Sequence, residues 1–152
     1  MKIYRLCKEK ELKKIFFSNS FKNTGNYFIK NNLINTHEYK SSVKYLHFFK
    51  DINDVLFINP EEGMYIYEMD LDSAFLKQYF GYGFYRDLLL YDRCSYIEEY
   101  AIDERFLNID DVCSVYKVVK EITKRDYIER NIEFCIENVD YKNKKYAKIK
   151  KK

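Results

Sequence analysis

An α+β domain is the fold class this sequence predicts, and three observations carry it. Short runs with alternating apolar residues, the mark of strands, stand beside runs whose apolar residues recur three and four apart, the mark of helices. The strand-like runs are segregated and do not alternate regularly with helices, which argues against a parallel βαβ sheet. The length of 152 residues suits one compact domain, and the chain contains no internal repeat.

Each element has its own local reason. Met1 to Leu6 sets Ile3 and Arg5 against Tyr4 and Leu6, the alternation of a short first strand. From Lys8 to Phe17, Leu12, Ile15 and Phe16 recur at helical spacing among lysines and glutamates, predicting an amphipathic helix. Residues 18–42, with six asparagines and Gly25, read as a long loop of the kind that often carries function. Val43 to Phe49 is rich in β formers, with Tyr45, His47 and Phe49 on one face and Leu46 and Phe48 on the other. Asp51 caps a short helix that runs through Ile58 and stops at Asn59-Pro60. Met64 to Leu71 alternates most cleanly, with Tyr65, Tyr67, Met69 and Leu71 opposite Ile66 and Glu68. Asp72 or Ser73 caps a helical segment, Ala74 to Phe80, which ends in a turn at Gly81-Tyr82-Gly83. Tyr96 to Ile102 reads as an interior strand, Val112 to Val119 as a further strand, and Arg125 to Asn138 as a helix with Ile128, Ile132, Cys135 and Ile136 inward. The domain is expected to span residues 1–140, and 141–152 to form a lysine-rich tail.

Composition excludes several classes. No apolar run approaches the roughly 18–20 residues a bilayer span needs, and the start of the chain (Lys2, Arg5, Lys8, Lys10) carries charge where a secretory signal has a continuous apolar region. A cytoplasmic protein without membrane contact is expected. Cys7, Cys94, Cys113 and Cys135 lie far apart, with no CxxC pair and no histidine at finger spacing, so they are read as reduced structural thiols and no metal site is expected. The net charge of +3 hides an asymmetry. Lys142, Lys144, Lys145, Lys148, Lys150, Lys151 and Lys152 crowd the last eleven residues, leaving 20 basic against 24 acidic side chains before them, a body of net −4. Sixteen tyrosines, twelve phenylalanines and no tryptophan, with abundant Lys, Asn and Ile, fit an AT-rich coding genome, so neither Tyr nor Lys abundance is itself a nucleic-acid signal.

Among chemical motifs, Gly81-x-Gly83 lacks the third glycine and the preceding strand of a dinucleotide fingerprint, and GxxxxGK[ST], HExxH and GxSxG do not occur. His47 reads either as a packing residue or as a site residue, and His37 sits in the polar loop. Glu98 and Glu99 stand in an apolar setting, where a carboxylate either faces water at an edge or points at a cleft or a cation. Arg5 poses the same question with opposite sign, as half of an ion pair or as a clamp for an anion.

The order of these pieces resembles ADP-ribosyltransferase-like domains, the compact α+β fold shared by many small bacterial toxins and some phage-encoded inhibitors of host defence. Ile3-Tyr4-Arg5-Leu6 resembles the first core strand, whose Arg or His contacts the nicotinamide ribose of NAD. Lys44-Tyr45-Leu46-His47-Phe48-Phe49 with Asp51 to Ile58 resembles the second strand and the helix after it, and Tyr65 to Asp72 the strand between motifs. Glu98-Glu99-Tyr100-Ala101-Ile102, continuing through Phe106 to Val112 and Val115-Tyr116, resembles the stretch around the catalytic Glu. The chain departs from the family in having His47-Phe48-Phe49 where Ser-Thr-Ser or a Tyr is usual, and in having adjacent acids where the Glu-x-Glu form spaces them two apart.

The resemblance implies split antiparallel or mixed sheets with short helices, and a mono-ADP-ribosyltransferase acting on a macromolecular target, a protein more than a nucleic acid. It implies Glu99 and Arg5 as catalytic residues, Glu98 as the fallback acid, and Arg5, Tyr45, His47 and Phe49 as contacts to NAD, with Arg5, His47 and Glu99 lining one cleft. The chemistry explains the types. Breaking the nicotinamide–ribose bond develops positive charge on ribose, which a carboxylate stabilises more in the transition state than in the ground state. A catalytically inert binding module on the same fold, inhibiting a partner protein, is the alternative. A nucleic-acid-binding protein, contacting phosphates without sequence preference through its lysine tail, is the third.

Overall fold

The computed structural model describes residues 1–22, 45–86 and 94–141, with only the backbone of 84–86 and 94–95. The expected loop beyond Lys22, with Gly25 and His37, Val43-Lys44, the Cys94 side chain and the lysine tail after Tyr141 lie outside the described residues, while Tyr141 itself, expected to begin the tail, is buried in the core against Phe16.

Strands β1 (Lys2–Cys7), β2 (Tyr45–Phe49), β3 (Tyr65–Asp70), β4 (Phe80–Arg86), β5 (Cys94–Asp103), β6 (Val112–Val118) and β7 (Ile136–Asn138) join in one open sheet. Their order is β4-β5-β2-β1-β3-β6-β7, and every neighbouring pair is antiparallel. The α+β class therefore stands, as one continuous antiparallel sheet where split or mixed sheets were expected. The β5–β2 and β1–β3 pairings extend over five and six residues, whereas β1 and β2 are joined through one register pair, Tyr4 with Phe49, the narrowest link in the sheet among the described residues.

Strand pleating gives the sheet two buried faces. On the first, Ile3, Cys7, Leu46, Phe48, Tyr67 and Met69 pack against Leu12, Ile15 and Phe16 of helix α1 (Glu9–Ser18). On the second, Leu6, Phe49, Ile66, Ile97 and Val118 pack against Val55 to Ile58 of a 3-10 helix (Ile52–Ile58) and against Tyr127 and Ile132. Both faces are apolar because both are covered, so β1 and β3 read as near-continuous buried runs. Asp51 caps the 3-10 helix by accepting from the Asn53 amide, and Asn59 ends it in the left-handed region, as the local sequence predicts. Helix α1 stops similarly at Asn19, φ 48°, whose Oδ1 also accepts the Ile109 amide at 2.8 Å.

Two expectations are corrected. The segment after Asp72 is helical only through α2 (Ser73–Leu76) and one 3-10 turn, and Phe80 already begins β4. Gly81 and Gly83 therefore lie inside a strand opposite Glu99 and Ile97, not in a helix-terminating turn. The expected helix Arg125 to Asn138 is instead α3 (Lys124–Glu129), closed by Arg130 at φ 54°, then a 3-10 turn (Ile132–Cys135) and β7. A second strand-pairing partner competes with the helical pattern there: residues 136–138 extend the sheet along β6, and Ile128, expected inward, is exposed. No helix among the described residues is long and apolar enough to cross a membrane.

Candidate functional site

The expected site residues fall on three adjacent central strands, but on two faces. Tyr4 of β1 pairs with Phe49 of β2, which pairs with Glu99 of β5, which pairs with Gly81 of β4. This row lies on the second face, and His47, paired with Ala101, stands one step along the same face. Arg5 is one residue from Tyr4 and so points to the first face. The three residues expected to line one cleft are thus split by the sheet: His47 and Glu99 meet, and Arg5 does not join them.

Arg5 is satisfied where it lies. Its Nε and Nη2 donate to Glu11 Oε2 and Oε1 at 2.7 and 2.8 Å, a two-pronged pair in which neither side chain is more than 1% exposed. The Tyr67 hydroxyl donates to Glu11 Oε2 at 3.1 Å, and Arg5 Nη1 reaches the His47 carbonyl oxygen at 3.4 Å. Burial alone disfavours the charged guanidinium, but Glu11 outweighs it and raises the Arg5 pKa. Burial also pushes the Tyr67 hydroxyl and the Cys7 thiol well up, so both stay protonated beside the pair. Neither composition nor motif points to Glu11 as the partner. Its one sequence signal is an acid on the apolar side of α1, next to Leu12 and Ile15.

On the second face His47 Nδ1 lies 3.4 Å from Glu99 Oε1, the two side chains being 12% and 11% exposed. Glu98, on the opposite face, lies 3.5 Å from the Lys50 ammonium at the surface. The two adjacent acids thus each meet a basic group, one nearly enclosed and one open to water. Phe49 is only 1% exposed, its ring held in the core under the 3-10 helix, so it offers no free aromatic face. Tyr45, half-buried at the start of β2, lies on the same face as His47. Beside Glu99 the β4 strand carries no side chain on this face at either Gly81 or Gly83. Among the described residues no heavy atom lies within 4 Å of where a Gly81 Cβ would stand. A carboxylate, an imidazole and a strip of strand backbone that is open at Gly81 and buried at Gly83 are what this end of the sheet presents.

A second polar group gathers at the other end of the same face. A bulge at Glu68/Met69 lets the Cys113 thiol donate to Glu68 Oε1 at 2.9 Å. Burial and then the Glu68 hydrogen bond push Cys113 up to about 11, so it is a thiol and not a thiolate nucleophile at neutral pH. Burial and then the Glu68 charge push Tyr4 up to about 12, and burial takes Tyr141 to about 12. All three groups are neutral when protonated and hold their protons more tightly folded than unfolded. Their contribution is full below the ordinary thiol and phenol values of 9.0 and 10.0 and is lost as pH rises through about 11 to 12. Chemical denaturation at intervals from pH 8 to 12 is expected to show steady stability to about pH 9 and a progressive fall above it. A flat profile to pH 12 would contradict these environments.

The fold and this pair of polar clusters define an antiparallel-sheet α+β domain with a histidine–carboxylate pair on a sheet face. In comparison with known proteins, no family model matches the chain, and no curated protein and no solved structure does.

Proposed function

We propose that the domain is ADP-ribosyltransferase-like and acts in the cytoplasm as a mono-ADP-ribosyltransferase, moving ADP-ribose from NAD to a macromolecular target, a protein more than a nucleic acid. The observation that carries this reading is the meeting of its motifs: segments 45 to 95 residues apart in sequence, measured at Tyr4, Phe49 and Glu99, become the adjacent strands β1, β2 and β5, with Glu99 set against His47 beside an open strip. NAD, when bound, supplies the ribose–nicotinamide bond whose breaking places positive charge on the ribose. The residues fit that ribose end. Glu99 is the carboxylate that accepts from a ribose hydroxyl, His47 orients it, and the backbone of Gly81 admits a sugar where any side chain would intrude. Arg5 and Phe49 do not take part as the resemblance implied, because both are closed into the core.

That same fact favours a second reading, a catalytically inert binding module that inhibits a partner protein. A domain whose Arg5 is spent on Glu11 has no guanidinium on the second face at this strand position. The two readings separate by experiment. For the enzyme, NAD raises the melting temperature, and labelled ADP-ribose passes to a component of a host lysate. With no thermal shift and no label transferred, the binding module stands and the enzyme falls. Gly81→Val adds a sharper test. The position has room for a side chain and an ordinary backbone conformation, so stability holds or improves, while NAD stabilisation and transfer drop because the strip is filled. Unchanged transfer in a folded Gly81→Val would remove the strip from the site. The nucleic-acid reading rests on the lysine tail, Lys142 to Lys152, and draws nothing from the described residues.

A further inference from the structure

On the second face, away from Glu99, lies a cavity of about 320 Å³, at the small end of ligand-sized pockets of roughly 300–1,000 Å³. Tyr4, Glu68 and Tyr116 of β1, β3 and β6 form its floor. Ile52 of the 3-10 helix, with Glu133 and Ile136, closes its sides. We infer that this cavity is a binding site for an alkyl guanidinium group, carried by a small amine-type metabolite or by an arginine side chain of a protein.

The lining chemistry selects that class. Glu68 is 5% exposed and lines an otherwise tyrosine-walled floor, its Oε1 accepting from the Cys113 thiol at 2.9 Å, and an anionic ligand beside it would meet repulsion. Lys2, at 3.7 Å from Glu68 Oε1, offsets one negative charge from outside the lining. Glu133 has no basic side chain within 4.0 Å among the described residues, which between them leave the lining one negative charge in excess. Tyr4 and Tyr116 add aromatic faces, which attract cations, and a planar guanidinium can stack on a ring while forking to a carboxylate. Ile52 and Ile136 give an aliphatic stem an apolar wall. The Tyr4 hydroxyl, kept protonated, stays a neutral neighbour of Glu68 and not a competing charge. The inference is independent of the ADP-ribosyltransferase reading, since none of these residues belongs to the His47–Glu99 pair.

Calorimetric titration of the full chain at low salt tests it, with agmatine as the free guanidine and N-acetyl-arginine-N-methylamide as the peptide-borne one. Saturable binding of agmatine alone assigns a small metabolite. Binding of both assigns an arginine side chain, because the blocked backbone is tolerated. Glu133→Gln, an exposed position at which folding is not at risk, is expected to weaken binding about tenfold or more through loss of a charge-assisted hydrogen bond. Tyr116→Phe is expected to keep affinity, and Tyr116→Leu to lose it, as ring stacking requires. No saturable heat with either probe overturns the inference, as does affinity that folded Glu133→Gln and Tyr116→Leu both leave unchanged. Neither probe contains NAD chemistry, so failure here and failure of ADP-ribose transfer are read separately.

Discussion

Glu11→Ala is expected to lower the unfolding free energy by about 3–5 kcal/mol, the usual cost of removing one partner from a buried ion pair. Glu11 is fully buried and accepts from Arg5 at two oxygens and from Tyr67 at one of them, so the change strands a guanidinium with 1% exposure and a phenol together. The guanidinium cannot escape by losing its proton, because arginine stays charged at any working pH. Of a domain's typical 5–15 kcal/mol, the loss is a large fraction, and the variant is expected to melt far below wild type or to express unfolded. Replacing both ends, Arg5→Met with Glu11→Leu, removes the uncompensated charge and is expected to recover much of the stability, since well-packed apolar pairs often equal buried ion pairs. Urea unfolding of the three proteins decides the matter. If Glu11→Ala costs less than about 1 kcal/mol, water reaches Arg5 and the pair is not the closed unit described. The double variant carries a second message. Were it folded and still active in ADP-ribose transfer, Arg5 would be structural outright, as its place on the first face indicates.

Glu99→Gln is expected to lower ADP-ribose transfer by about 10²–10³-fold, the scale of losing one preorganised electrostatic stabiliser of developing charge. Gln keeps the shape and one acceptor but not the charge, so ground-state contacts largely survive while stabilisation of the positive ribose is lost. The side chain is 11% exposed and its neighbour His47 sits 3.4 Å away, so the melting temperature is expected to move by only a few degrees, against the near-complete loss of activity. His47→Gln is expected to have the smaller effect of an orienting residue. Glu98→Gln, on the opposite face beside Lys50, is expected to have none. A Glu98→Gln protein that lost activity while Glu99→Gln kept it would exchange the two acids and move the site to the other side of the sheet.

Much of the local structure is legible in the sequence because it is set by neighbours in the chain. The pleat of β2, with His47 and Phe49 on one side and Phe48 on the other, follows from alternation alone, as does the separation of Glu98 from Glu99. The Asp51 cap and the Asn59 stop follow from side-chain geometry within a few residues. The stretch from Arg130 to Asn138 is not legible in the same way. Its apolar spacing suits a helix, and only the free edge of β6 turns the last three residues into a strand. The same holds for Gly81-Tyr82-Gly83, which reads as a turn until β5 is there to pair with it.

What the sequence alone determined is the class of the domain, the faces of its central strands and the unusual presence of Arg5, His47 and Glu99 among apolar residues. Those are one-dimensional facts, fixed by side-chain chemistry and by a period of two. Which charges meet was decided by the tertiary structure. Arg5 is six residues from Glu11 and 94 from Glu99, and the strand-to-helix turn brings Glu11 over the first face while the pleat sends Glu99 to the second. A buried charge takes the partner that its own side of the sheet supplies, because an unpaired ion there costs more than nearly any rearrangement of its neighbours.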